Sequence, residues 1–168
     1  MKKIALFVGK HTQKTAEIAQ KIQTAFGQKA LDIIYVEEAW TKDFESYDNL
    51  IVGAATWFDG ELPTYWDEIM PLLGTIDLKN KKVAVFGLGD QLHYPDNFVD
   101  GIGILANAFE SIGAQLVGKT SVEGYTFNHS AASDGTHFSG LAIDLDNQPE
   151  KTDERIQHWV NQLRMEFE

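Results

Sequence analysis

Cysteine is absent from the 168-residue chain, so the protein forms no disulfide, no thiolate metal site and no cysteine nucleophile. Its absence fits a reducing compartment, and we expect a cytoplasmic protein. No secretion signal is recognisable, because the first three residues lead directly into a short strand pattern without a small-residue cleavage site. No apolar run reaches transmembrane length, so we expect no membrane association.

Basic residues are scarce: 14 Lys and Arg stand against 25 Asp and Glu, for a formal net charge of -11. Nucleic-acid binding uses a basic patch to meet the phosphates, so we expect no nucleic-acid partner. The acidic field would steer a basic protein partner to the surface, although the composition alone favours a role in solubility only. The length and the 43% hydrophobic content suit one domain over residues 1–168.

Short apolar runs alternate with amphipathic stretches along the chain. We predict strands at 3–8, 31–36, 49–54, 82–88 and 115–119, and helices at 13–26, 64–73, 98–112 and 150–166. This alternation predicts an α/β fold: a doubly wound five-stranded parallel sheet, order 2-1-3-4-5, with helices on both faces. Residues 120–140 are rich in Gly, Ser, His and Asn, so we expect a loop that splits the fifth strand before a strand-like pattern returns at 137–145.

Two nucleotide-binding patterns occur in the wrong structural context. Residues 113–120 match the phosphate-binding loop of nucleotide hydrolases, but that loop joins a strand to a helix, whereas here a helix is predicted before it and a strand within it. Gly101 and Gly103 have the spacing of a dinucleotide fingerprint inside a predicted helix. We reject both patterns. The five histidines lack metal-ligand spacing, so we predict no metal site and no catalytic residue.

Three loops follow predicted strands and carry the candidate site. Thr12 and Thr15 bracket the first helix start, where hydroxyls and free N–H groups can surround a phosphate; the alternative is that Thr12 only caps the helix. Trp57 lies in the second loop and Tyr94 in the third, where their rings could cover a ligand. The alternative for Trp57 is that it only packs on Phe58 or Tyr65. Because carboxyl ends of parallel strands share one crevice, these features suit a flat aromatic ring with a phosphate tail.

Four motifs extend this pattern. They are Thr12-x-x-Thr15, Thr56-Trp57-x-x-Gly60-Glu61-Leu62-Pro63, Gly87-Leu88-Gly89-Asp90-Gln91-x-x-Tyr94-Pro95-Asp96-Asn97 and Asp144-Leu145-Asp146-Asn147-Gln148-x-x-Lys151-Thr152-Asp153-Glu154-Arg155-Ile156. With them the chain resembles the long-chain flavodoxins over nearly its whole length. The last two motifs are long and specific, and the 120–140 loop falls where that subfamily carries its strand-splitting loop.

The resemblance implies a low-potential one-electron carrier that uses non-covalent FMN to shuttle electrons between a reductase and an acceptor. Thr12 and Thr15 would hold the phosphate, Trp57 and Tyr94 would sandwich the isoalloxazine ring, and Asp146 would reach the ribityl chain. The full predicted cofactor-binding set is Lys10, His11, Thr12, Gln13, Lys14, Thr15, Ala55, Thr56, Trp57, Phe58, Gly60, Gly89, Asp90, Tyr94, Asn97 and Asp146. The implied partners are a flavodoxin or ferredoxin reductase and acceptor redox proteins with basic docking surfaces, and we expect a monomer.

Acidic residues around the predicted ring site bear on its potential. They are Asp59, Glu61, Asp90 and Asp96. Like charges suppress ionisation, so these carboxylates would disfavour the anionic, fully reduced flavin. We therefore expect a low potential for the second electron.

Two departures from the family pattern keep other functions open. The family's phosphate loop usually reads Ser-x-Thr-Gly-x-Thr, whereas here Lys10 adds a charge and Gln13 replaces the glycine that lets a backbone approach the phosphate. Phe58 follows the stacking Trp57 where a small residue is common, so we hypothesise a less mobile 58–59 peptide. The alternatives are an FMN-dependent NAD(P)H:quinone reductase, and a flavodoxin-like protein with weakened FMN binding and a regulatory role.

Overall fold

The computed structural model describes residues 3–57 and 60–168. Its strands are β1 (Ile4–Val8), β2 (Leu31–Tyr35), β3 (Asn49–Ala55), β4 (Lys82–Leu88), β5 (Gln115–Val117), β6 (Thr120–Ser121), β7 (His137–Phe138) and β8 (Leu141–Ile143). Its helices are α1 (Gln13–Phe26), α2 (Thr41–Glu45), α3 (Thr64–Leu73), α4 (Asp100–Ser111) and α5 (Thr152–Glu166), with 3₁₀ turns at Val36–Glu38 and Pro149–Lys151.

The predicted strand order is confirmed. The main sheet runs β2-β1-β3-β4-β5, and all of its pairings are parallel. The fifth position is split as predicted, because β5 pairs with the first half of β4 and β8 pairs with its second half. Between the two halves the chain forms a small antiparallel pair, β6 with β7. We call the segment 120–140 the excursion.

Helices cover both faces of the sheet, which explains the continuous apolar runs of the central strands. Successive residues of a strand point to opposite faces, so Phe7 of β1 packs with Phe44 and Phe109 on the side of α2, α3 and α4. Leu6 packs with Trp159 on the side of α1 and α5. Each face therefore has its own hydrophobic core, and the loops at the carboxyl edge stand on a rigid base.

Some element boundaries differ from the predicted ones for local reasons. Helix α2 was missed because five residues are too few to show helical periodicity, although Phe44 on it stacks on Phe7 at 3.9 Å. Helix α4 begins at residue 100 because Val99 has a left-handed backbone, with φ of 48°. The rejected 113–120 pattern indeed runs from the end of α4 into β5, so it has no strand-to-helix context.

No helix within residues 3–57 and 60–168 combines the length and apolarity that crossing a bilayer requires.

Candidate functional site

A cleft of about 360 Å³ lies at the carboxyl edge of the sheet, between the loops that follow β3 and β4. It is lined by Thr56, Trp57, Gly89, Asp90, Tyr94, Asn97 and Phe98. Six of these residues belong to the predicted binding set. Phe98 was not predicted, because the sequence pattern placed this apolar residue at the start of the following helix. The fold thus brings together the residues expected around a flat ring.

The two aromatic side chains of the cleft remain accessible. Trp57 is 40% exposed and Tyr94 is 55% exposed, although both rings are large and apolar. The alternative in which Trp57 packs on Tyr65 is not observed: among the described residues Trp57 forms no ring pair, and Tyr65 lies against Trp66 with ring centroids 6.4 Å apart. Phe58 and Asp59 lie outside the described residues, and so do the predictions made for them.

Hydrogen bonds hold the second loop in a closed shape. Trp57 and Glu61 each donate a backbone N–H to the other's carbonyl oxygen, both at 2.7 Å. Gly60 inside this loop has φ of 89°, a left-handed conformation that favours glycine, and a Cβ there would lie 2.6 Å from Oδ2 of Asp100. The predicted residue Gly60 is therefore required by the loop geometry itself.

The second loop is tied to the neighbouring loop and helix. The Thr56 hydroxyl oxygen accepts the N–H of Gly101 at 2.9 Å in the first turn of α4, and the Thr56 N–H donates to Leu88 at 3.2 Å. Asn97 donates its side-chain amide to Asp100 at 3.3 Å. Ala55, also predicted, is the half-buried last residue of β3. These contacts fix the positions of the cleft walls.

Asp90 organises the third loop. Its Oδ1 accepts the backbone N–H groups of Leu92 and His93 at 3.1 and 3.0 Å and the side-chain amide of Asn147 at 2.8 Å, while its Oδ2 lies 2.7 Å from His93 Nδ1. Desolvation acts to raise the pKa of Asp90, but the hydrogen bonds from His93 and Asn147 outweigh it and hold the pKa below its ordinary value. Asp90 is therefore ionised beside the cleft.

A buried carboxylate lies beneath this loop. Asp144 has no exposed surface and accepts five N–H donors at 2.7–3.2 Å, from the backbone and side chain of Gln91, the backbone of Asp146, and the backbone and side chain of Asn147. Gln91 in turn accepts the N–H of Thr126 at 2.7 Å. Sequence reasoning placed Asp144 in a motif but assigned it no role, since local periodicity does not show such a network.

The excursion braces the same loop. The backbone N–H groups of Asn128 and His129 both donate to the carbonyl of Pro95, at 2.8 and 2.9 Å, and the Asn128 side chain donates to Asp96 at 2.9 Å. Four aromatic rings anchor the excursion, with centroid separations of 5.1–5.9 Å: Phe98, Tyr125, Phe127 and Phe138. The excursion is therefore packed against the loop that carries Tyr94.

The turn at residues 134–137 makes the excursion sensitive to acid. Asp134 accepts hydrogen bonds from Thr136 and His137 at 2.8–3.0 Å, and the backbone bonds, from His137 first, lower the pKa of Asp134 to about 2. The carboxyl of an aspartate in an unfolded chain has a pKa of about 3.9. The stabilisation that these hydrogen bonds give is therefore present above that pH and is lost as the pH falls through about 2.

We expect the amides of Thr136 and His137 to lose protection from hydrogen exchange over that pH range, and Asp134→Asn to abolish the pH dependence. Titration of the Asp134 carboxyl near pH 4, followed by NMR, would show this prediction to be wrong.

The first loop presents unpaired donors at the start of α1. The Thr12 hydroxyl donates to the Gly9 carbonyl at 2.9 Å and does not cap the helix, whose first bond runs from Ala16 to Thr12 at 2.8 Å. Among the described residues, no protein acceptor meets the backbone N–H groups of residues 13–15, and the first turn carries no acid. Thr15 is buried beside them. The helix start is thus open to an anion.

The cations of this loop are already paired. The Lys10 ammonium contacts Glu38, whose hydrogen bond and charge raise the pKa of Lys10, and the Lys10 backbone N–H donates to both oxygens of Glu37 at 2.9 and 3.0 Å. Lys14 Nζ lies 3.7 Å from Asp146 Oδ1, which joins the first loop to the segment beneath the third. The other two predicted residues of this loop are exposed: His11 and Gln13.

The assembled site offers two aromatic faces, polar loop edges and an anion-receptive helix start at one edge of the sheet. In the described part of the chain, no group of three or more His, Asp and Glu side chains is placed to hold a metal ion. The arrangement suits a planar, phosphorylated organic ligand, and the individual contacts of the predicted binding residues stay predictions.

Known proteins share this sequence and architecture. A family model described as Flavodoxin matches residues 6–159. The flavodoxin of Synechococcus elongatus is 46% identical over 168 residues, 99% of each chain, and that of a Nostoc species is 44% identical over 166 residues, 99% of this chain and 98% of that one. A crystal structure of Fusobacterium nucleatum flavodoxin bound to flavin mononucleotide superposes with a TM-score of 0.94 and 31% identity, covering 100% of both chains.

Proposed function

The chain belongs to the flavodoxin family, and from this premise we propose that it binds FMN non-covalently between Trp57 and Tyr94. Flavodoxins are electron carriers and not enzymes, so the chain is an electron-transfer protein and the quinone reductase alternative is set aside. The observation that carries the proposed site is the aromatic cleft at the same sheet edge as the uncapped start of α1.

The residues present fit the parts of FMN. The faces of Trp57 and Tyr94 suit the isoalloxazine ring, and the unpaired amides of residues 13–15 with the Thr15 hydroxyl suit the phosphate dianion. When bound, FMN supplies the one-electron chemistry. The role of this chain is to stack on the ring, to hold its edge through the loops of Gly60 and Gly89, and to set the surrounding charge.

The surrounding charge supports a low potential for the second electron. Asp90 is ionised beside the cleft, and Glu61 and Asp96 are exposed on the loops that form it. A negative charge near the ring repels an anionic reduced flavin, and because solvent screens this repulsion it raises the flavin's energy by only a fraction of a kcal/mol.

We expect Glu61→Gln to raise the second-electron potential by roughly 10–40 mV in a redox titration at low salt. Glu110→Gln is the matched control, because Glu110 lies near the end of α4, at the opposite edge of the sheet, and is exposed. Equal shifts in both variants would contradict a local effect of the cleft charges.

The test of the proposed function is reconstitution of the apoprotein with FMN. We expect tight 1:1 binding, quenched flavin fluorescence, and reversible reduction in two one-electron steps. Apoprotein that stays colourless with excess FMN would instead favour the weakened, regulatory alternative motivated by Lys10, Gln13 and Phe58. Such an outcome would remove the proposed binding site and leave the fold unaffected.

The partners we propose are a flavodoxin or ferredoxin reductase and acceptors with basic surfaces. The support is the formal net charge of -11, which favours association with basic surfaces at rates that fall with salt. A cytoplasmic location is likewise proposed on the cysteine-free composition, and a monomer on the family resemblance.

A further inference from the structure

Tyr65 in the first turn of α3 has no role in the site described so far. Its side chain is 9% exposed, and its hydroxyl has no hydrogen-bond partner among the described residues. A polar group buried without a partner is unfavourable, and most such groups in folded proteins are satisfied. This hydroxyl therefore calls for a partner that the protein alone does not supply.

The phenol tip of Tyr65 lies under the first loop. A Cβ built on Gly9 would be 2.8 Å from the Tyr65 hydroxyl oxygen and closer still to its ring, so the loop passes directly over the tip. The hydroxyl also lies close to the Thr12 side chain, a contact that acts to lower the pKa of Tyr65 but whose geometry falls short of a hydrogen bond. The unpaired hydroxyl thus lies beside the uncapped start of α1.

The hydroxyl is available there as a proton donor. Burial, and then the charge of Glu37, raise the pKa of Tyr65, so the phenol stays protonated at neutral pH. Two neighbouring groups are committed elsewhere: the Thr12 proton to the Gly9 carbonyl, and the Lys10 ammonium to Glu38. Of the side chains beside this loop, Tyr65 keeps a buried proton with no acceptor.

We propose that the Tyr65 hydroxyl donates a hydrogen bond to the phosphate group of the bound flavin nucleotide, an inference that rests on the function proposed above. The ligand chemistry is a phosphomonoester dianion at the start of α1, met by the amides of residues 13–15 and by the phenol from below. Tyr65 then selects for the phosphorylated form of the flavin over the unphosphorylated one.

Tyr65→Phe tests this role, because it removes one oxygen and keeps the ring that packs on Gly9 and Trp66. We expect the Kd of the apoprotein for FMN to rise roughly 10- to 100-fold, as for the loss of a hydrogen bond to a charged group, and the Kd for riboflavin to change less than twofold. The urea midpoint of the apoprotein should stay the same or rise, because no protein hydrogen bond is lost. An unchanged ratio of the two Kd values in Tyr65→Phe would overturn the proposal.

Tyr125→Phe is the matched control. Its hydroxyl, which is partly buried, donates to the Ala142 carbonyl at 2.6 Å, so its loss should lower stability and leave the ratio of FMN to riboflavin affinity unchanged. The two proposals fail in different ways. Wild-type apoprotein that does not bind FMN refutes the proposed function and this inference with it. If the wild-type protein binds FMN and Tyr65→Phe keeps the wild-type ratio of the Kd values for FMN and riboflavin, only the inference about Tyr65 is refuted.

Discussion

Replacing Asp144 with alanine is expected to lower the free energy of unfolding of the apoprotein by about 3–5 kcal/mol. The side chain is fully buried, and its removal leaves the five N–H donors that it accepts from Gln91, Asp146 and Asn147 without their acceptor. Each unsatisfied buried donor costs about 1–3 kcal/mol, partly offset where water enters. Urea unfolding at pH 7 measures the change.

The matched control is Asp146→Ala, two residues further along. Asp146 is exposed and, among the described residues, its side chain pairs only with Lys14, at 3.7 Å, so its loss should change the free energy of unfolding by less than about 0.5 kcal/mol. In Asp144→Ala, the amides of residues 91–94 should also exchange faster, since Gln91 ties the third loop to the buried carboxylate. A variant within about 1 kcal/mol of wild type would show that this network is not a main source of stability.

Replacing Tyr94 with alanine is expected to weaken FMN binding by about 5- to 150-fold. The value follows from the 1–3 kcal/mol that alanine substitution typically removes when an aromatic side chain stacks on a planar heterocycle. Trp57→Ala should weaken binding at least as much, because an indole covers a larger area of the ring than a phenol. Titration of the apoprotein with FMN, followed by flavin fluorescence, measures both values.

Tyr94→Phe separates stacking from hydrogen bonding, because the ring face is kept and only the hydroxyl is removed. We expect its Kd for FMN to stay within about threefold of wild type. Tyr94 is 55% exposed, so its replacement should leave the urea midpoint of the apoprotein nearly unchanged. Equal losses of affinity in the alanine and phenylalanine variants would contradict a stacking role.

Most of the fold was predictable from the sequence because its signals are local. The central strands are buried on both faces and therefore appear as continuous apolar runs, whereas the helices show one apolar stripe. The split fifth strand was predictable from the break in composition at 120–140, and the pairing of β5 and β8 along β4 confirms it. Helix α2, which spans five residues, lies below the length at which periodicity is visible.

The polar contacts of the site were less predictable. The contact of Thr56 with the cofactor stays a prediction, and the sequence did not show that its hydroxyl oxygen also accepts the N–H of Gly101, 45 residues away. Lys10 adds a positive charge as the sequence indicated, but only the structure shows that this charge pairs with Glu38, 28 residues away. Such partners are set by which loops the sheet order makes neighbours, and no local pattern reports them.

By itself, the sequence determined the order of strands and helices, the loops that carry Trp57 and Tyr94, and the family to which they belong, because apolar periodicity and motif spacing are local properties of the chain. Only the tertiary structure decided which polar groups are satisfied and which remain free. Asp144 gains two of its five donors from Gln91, 53 residues away, and the Tyr65 hydroxyl is left without a hydrogen-bond partner among the described residues, beneath a loop that begins at Gly9. A hydrogen bond depends on distances of a few tenths of an ångström between distant segments, and those distances exist only once the layers have packed.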